Sequence, residues 1–154
     1  MPSILPCALL FLLSASPAMI PNDADPSATP IVLHTPPAGS EERRALLHVA
    51  RAPAETLLGK PLQLTVKALN VGDDWAFLYA EMQSASGHYP DFSDTPLAEA
   101  SRNGGASNVY IALLRRRQGG DWQVVESAVG PTDAAWLAWP AQTGAPEALF
   151  DLGD

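Results

Sequence analysis

The amino-acid sequence predicts an α+β domain: one N-terminal helix packed on a four-stranded antiparallel meander sheet, closed by a C-terminal short helix. Three observations carry this expectation. A capped stretch with apolar residues at helical spacing occupies residues 40–58. Four runs with period-two alternation follow it. Gly72-Asp73-Asp74 and Gln118-Gly119-Gly120-Asp121 separate the first run from the second and the third from the fourth. Such turns make neighbours in sequence neighbours in the sheet.

In the helix, Ser40 supplies a cap, and Glu41 and Glu42 suit the positive field of the first turn. Glu41, Arg44, His48, Arg51 and Glu55 form a polar stripe, and Leu46, Leu47, Val49 and Ala50 populate the other side. Pro53 is expected to end or kink the helix, because it has no N–H and its ring crowds the carbonyl four residues back. A further turn from Ala54 to Leu58 would then follow and stop at Gly59.

The first strand run, Pro61 to Val71, places Leu62, Leu64, Val66 and Ala68 on one face and Gln63, Thr65 and Lys67 on the other. The second, Trp75 to Met82, sets Trp75, Phe77 and Tyr79 against Ala76, Leu78, Ala80 and Met82. The third, Asn108 to Arg117, sets Val109, Ile111 and Leu113 against Tyr110, Ala112 and Leu114. Trp122 to Val129 is the last, with Trp122 expected in the core. The middle strands are apolar on both faces, whereas a sheet with one wet face alternates cleanly. The helix covers one face. Trp136, Trp139, Leu149 and Phe150, folded back from the C-terminus, are the first candidates for the other, ahead of a partner or ligand. Thr132 to Trp139 reads as a helix capped by Thr132, with Asp133 in its first turn and Pro140 at its end. Pro146 to Phe150 adds a further turn.

Ahead of the domain, Ile4 to Leu13 is an apolar run followed by small residues at Ser14, Ala15, Ser16 and Ala18. This is the layout of a secretory signal peptide, residues 1–18, although no Lys or Arg precedes the run. The run is about half the ~20 residues needed to cross a bilayer, and Pro6 interrupts it, so no stable membrane anchor is expected after cleavage. A periplasmic or extracellular placement follows. Residues 19–37 carry Pro21, Pro26, Pro30, Pro36 and Pro37 and read as a disordered, Pro-rich linker. Within it, Ile31 to Leu33 has the composition of one short edge strand, and His34 is expected to be solvated. Residues 38–154 then form a single domain.

With 47% apolar residues the chain has material for a core. Its net charge of −8 argues against nucleic acid, whose binding requires cations that displace counterions from phosphates. It argues equally against a polybasic membrane-surface contact. Cys7, in the leader, is the only cysteine, which rules out a disulfide framework, a thiolate zinc site and a cysteine nucleophile in the mature chain. No phosphate-binding glycine loop, nucleophile elbow or paired-histidine zinc motif is present, so no cofactor is expected.

The long loop from Ser84 to Ser107 holds His88, Tyr89, Asp91 and Asp94. These types hold metals and exchange protons, but the spacing is unspecific. Arg115-Arg116-Arg117 reads as a solvated strand end that discourages edge pairing, or as a contact for an anionic partner such as a cell-wall carboxylate. Strand alternation turns Arg116 away from its two neighbours. The leading expectation is an exported binding module that meets a protein or cell-envelope component, with His88, Tyr89, Asp133 and Trp139 at the contact. The alternative is a small cone-shaped enzyme, a hydrolase or isomerase, with His88 or Asp133 as general base. An enclosed apolar cavity of ~300 Å³ or more would favour the enzyme.

Three blocks carry a likeness. They are Arg44-Ala45-Leu46-Leu47 with Arg51; Gly72 followed by Trp75-Ala76-Phe77; and Leu113 to Arg117 with Gly119-Gly120, Trp122 to Glu126 and Gly130-Pro131-Thr132-Asp133. Together, over residues 40–150, the chain resembles a group of small exported bacterial proteins of unknown function. The resemblance implies a secreted, cystatin-like or nuclear-transport-factor-like fold of helix and curved sheet, and no particular activity. That group usually has Asp where this chain has His48.

Overall fold

The computed structural model describes residues 30–153, so the signal peptide and most of the Pro-rich linker lie outside the described residues. The elements run α1 (Glu41–Leu58), β1 (Leu62–Gly72), β2 (Trp75–Ser84), α2 (Ala98–Arg102), β3 (Val109–Arg116) and β4 (Trp122–Val129). A 3-10 turn (Ala135–Ala138), α3 (Trp139–Thr143) and a second 3-10 turn (Glu147–Phe150) complete the chain. The four strands form one antiparallel sheet in the order β1-β2-β3-β4, the meander read from the turns.

Ser40 caps α1 by accepting the Arg43 N–H at 3.2 Å, and Gly59 closes it at φ 65°, donating to the Glu55 carbonyl at 2.8 Å. Leu46, Ala50, Ala54 and Leu58, each four residues from the next, are the buried stripe. Pro53 does not end the helix, which runs unbroken to Leu58. Ala50, Ala54 and Leu58, on both sides of the proline, are held in the same apolar layer, and this packing outweighs one missing helical bond.

Each outer strand has one extra residue. Val66 pairs with Ala80 and Ala68 with Tyr79, leaving Lys67 over. Leu113 pairs with Glu126 and Leu114 with Val124, leaving Val125 over. A bulge inverts the alternation beyond it. In β1, Leu62, Leu64 and Val66 face α1 before the bulge, and Leu69 and Val71 face it afterwards. Asn70 consequently lies on the opposite face, where its Nδ2 donates to the carbonyls of Leu149 and Asp151, both at 2.8 Å. In β4, Trp122 and Val124 face α1 before the bulge and Val129 after it.

Trp122 is half-buried at the rim of this layer and not inside it. It opens an edge strand, and the Arg116 guanidinium lies over its ring at 4.5 Å.

The second face carries its own core. Trp75, Phe77, Ile111 and Leu113 pack with Trp139, Ala145 and Leu149. Phe77 lies at its centre, with ring centroids 4.7 Å from Phe150 and 6.4 Å from both Trp136 and Trp139. The C-terminal segment is thus the cover that the two-sided strands required. Its local structure differs from expectation. Thr132 caps nothing, a 3-10 turn begins only at Ala135, and Pro140 opens α3 instead of closing a helix. In a first helical turn the missing proline N–H has no partner to lose.

The ordered domain also begins ahead of residue 38. His34 exchanges two backbone hydrogen bonds with Val71, both 2.8 Å, and Pro36 is fully buried. Leu33 packs against the second core, and the Arg43 guanidinium donates to the Pro36 carbonyl at 3.1 Å. The prolines flank His34, so its N–H and carbonyl remain free to pair with the edge of β1. Its side chain is not simply solvated, because Nε2 lies 3.0 Å from a Glu42 carboxylate oxygen.

Candidate functional site

The register puts the end of β2, the start of β3 and the end of β4 at one end of the sheet, since Glu81 pairs with Val109 and Tyr110 with Val129. The 84–107 loop and the segment after β4 therefore converge. Ser107 N–H donates to the Gly130 carbonyl at 3.0 Å, Gly130 N–H to Val109 at 2.8 Å, and the Ser107 hydroxyl to Pro131 at 2.5 Å. Gly130 has φ 68°, and a Cβ there would lie 3.1 Å from the Ser107 carbonyl oxygen, so glycine is required. The junction places Asp133 beside Ser107, while His88 and Tyr89 follow the end of β2 at the same end of the sheet.

The long loop is built, not slack. Phe92 is 3% exposed and plugs the layer under α1, and α2 forms within the loop. Asp91 ties the loop down: its Oδ1 accepts the Ser93 hydroxyl at 2.6 Å and the Ser93 N–H at 2.9 Å, and its Oδ2 lies 3.2 Å from Lys60 Nζ. The Ser93 hydrogen bonds, and then Lys60, hold the Asp91 pKa down to about 2. A carboxylate so stabilised is a poor proton acceptor at neutral pH, which makes Asp91 a turn anchor and not a general base. Among the described residues, no three His, Cys, Asp or Glu side chains gather closely enough to share a metal ion.

His88 lies on an exposed turn, its Nδ1 3.1 Å from the Ser86 hydroxyl and its N–H donated to Ser84 Oγ at 3.2 Å. Tyr89 is 59% exposed and meets Phe92 edge-on at 6.1 Å. With Ser101 and Arg102 these two rings line a depression of about 260 Å³. Asp133 is exposed and lines a second, shallower depression of about 470 Å³ with Tyr79, Thr132 and Trp136. His88 lines neither, so the two residues offered as alternative bases do not share a site.

Trp139 is 6% exposed and edge-on to Phe77. It is a core residue and not a surface anchor, which corrects the expectation. Trp136 is the more accessible of the pair, half-buried and T-shaped against Tyr79 at 5.6 Å. Both tryptophans pack toward Phe77, and a spacing of three residues in sequence gave no ground for choosing between them.

Fold and site define a small α+β domain whose sheet is filled on both faces by its own chain and whose depressions open to solvent. No helix among the described residues is long and apolar enough to cross a membrane. No family model, curated protein or solved structure matches the chain.

Proposed function

We propose that this domain is an exported binding module that contacts a protein or cell-envelope component through its surface. One observation carries the reading: Phe77 and its neighbours are sealed under Trp136, Trp139 and Phe150, while Tyr110 is sealed under α1, so the curved sheet leaves its interior to side chains and not to a substrate. The large apolar groups left outside support it. Tyr89 is 59% exposed and Leu137 74% exposed, and neither is needed to close a core. The layout of residues 1–18 supports export.

The test is sedimentation of the purified full chain with isolated bacterial envelope. We expect retention that falls at least fivefold in the double variant Tyr89→Ser, Leu137→Ser, with the melting temperature unchanged. Equal retention of both proteins, or none of either, overturns the reading.

A further inference from the structure

At the opposite end of the sheet, the β3–β4 hairpin borders a depression of about 730 Å³, lined by Arg115, Arg116, Arg117 and the single acid Asp74 among others. We propose that this depression binds an acidic, extended peptide segment of a partner, with carboxylates two residues apart. The inference rests on the reading of the domain as a binding module.

Charge is the first argument. The chain has 17 acidic and nine Lys or Arg residues, yet this depression is bordered by three arginines and a single acid, Asp74. Ion pairs engage Lys60, Lys67 and Arg116, but among the described residues neither Arg115 nor Arg117 has a carboxylate within salt-bridge distance. Both side chains are exposed.

Geometry is the second. The Arg115 guanidinium lies over the Trp75 ring, 4.9 Å from its centroid. Stacking fixes the plane of the group and leaves its N–H edge free for a carboxylate, the bidentate contact that arginine makes well. Arg115 lies in β3 and Arg117 one residue past its end, still bonded across the hairpin through its N–H to the Asp121 carbonyl at 2.8 Å; two extended positions span roughly 7 Å, as do side chains i and i+2 of an extended peptide. Arg116 also borders the depression, but its guanidinium lies 3.6 Å from Glu42 and over the Trp122 ring, so Arg115 and Arg117 are the two cations left for a ligand.

The remaining lining selects a peptide over a bare polyanion. Gln118 and Gln123 present amides that match backbone N–H and carbonyl groups, and Val125, pushed out by the bulge, is 39% exposed beside them.

The experiment uses purified full chain, so failure of envelope retention does not bear on it. The guanidinium Nε–H resonances of Arg115 and Arg117 are followed by NMR as a hexaglutamate peptide is added. Both resonances should shift with saturation, and affinity should fall at least fivefold between roughly 20 and 300 mM salt. Arg115→Gln with Arg117→Gln should weaken binding at least tenfold, while Arg44→Gln, an exposed arginine on α1, should change it less than twofold. Three results overturn the proposal. One is the absence of any shift. Another is inorganic polyphosphate of equal charge binding as tightly as the peptide. The third is peptide binding that emerges only after Asp23→Asn and Asp25→Asn, which would make the chain's own Asp-Ala-Asp segment the occupant and not a partner.

Discussion

The Tyr110 hydroxyl, fully buried beneath α1, donates to the Ala50 carbonyl at 2.5 Å and thereby ties the start of β3 to the helix three residues before Pro53. Proline brings no N–H to the carbonyl four residues back, and the bond from Tyr110 gives the weakened turn a fixed attachment. Tyr110→Phe should therefore cost about 1–2 kcal/mol in urea unfolding at pH 7. Burial pushes the Tyr110 phenol up to about 12, above the ordinary 10. The neutral form is favoured in the folded state, so this contribution is complete below pH 10 and is lost as pH rises through 12. Wild type should lose roughly 2 kcal/mol more than the Phe variant across that window. Parallel alkaline unfolding curves would refute the assignment.

Gly72 and the strap above it make a second case. A Cβ on Gly72 would come 2.7 Å from Ile31 Cγ2 and from Leu33 Cδ2, with no strain in φ involved. Gly72→Ala should displace residues 31–33 and cost about 1–3 kcal/mol. Removing residues 30–37 altogether deletes two backbone bonds to Val71 and the burial of Leu33 and Pro36, and should cost roughly 3 kcal/mol. Thermal melting of both variants checks this, and an unchanged midpoint for the deletion would restore the spacer reading of this stretch.

Trp139→Ala should cost about 3–5 kcal/mol, because it opens the core around Phe77, whereas Trp122→Ala at the rim should cost only about 1–2 kcal/mol. Denaturant unfolding of the two would separate them, and the reverse order would contradict the packing. The contrast also marks what the sequence reveals. Alternation in β2 and β3 assigned every side chain to its face, since these central strands are regular, and two apolar faces demanded a second cover. The order of the strands was legible from two glycine turns. A tryptophan's depth was not: Trp122 begins an edge strand, and nothing local distinguishes an edge from a centre. Nor were the bulges, since Lys67 and Val125 are superfluous only with respect to their partners on β2 and β3. At the loop end, Tyr89 and Asp133 were legible as surface groups, but the junction through Ser107 and Gly130 that ties the end of the long loop to the segment after β4 depends on pairing 23 positions apart in sequence.

Asn70 owes its role to the β1 bulge. Its amide is the clasp that holds Leu149 and Asp151 against the sheet. Asn70→Ala should cost about 1–2 kcal/mol and raise hydrogen exchange in residues 147–153 before it affects α1. Uniform acceleration over the whole domain would show instead that the C-terminal cover does not open independently.

Asp91 should make the loop end sensitive to acid. Its carboxyl is held at about 2, below the ordinary 3.8, by two bonds from Ser93 and by Lys60. A depressed folded-state pKa favours the ionised form, so the anchoring is complete above pH 4 and is lost as pH falls through 2. The group is at the surface, so the effect on global stability should be small and screened by salt. The loop is where it should register. Between pH 4 and 2 the amides of residues 91–95 should lose exchange protection while the sheet keeps its own, and Asp91→Asn should show that loss already at pH 7. Lys60→Gln should weaken the anchoring less than Asp91→Asn does, because the Ser93 bonds are the stronger restraint. If Lys60→Gln loosened the loop more than Asp91→Asn, the ion pair and not the Ser93 turn would be what holds it.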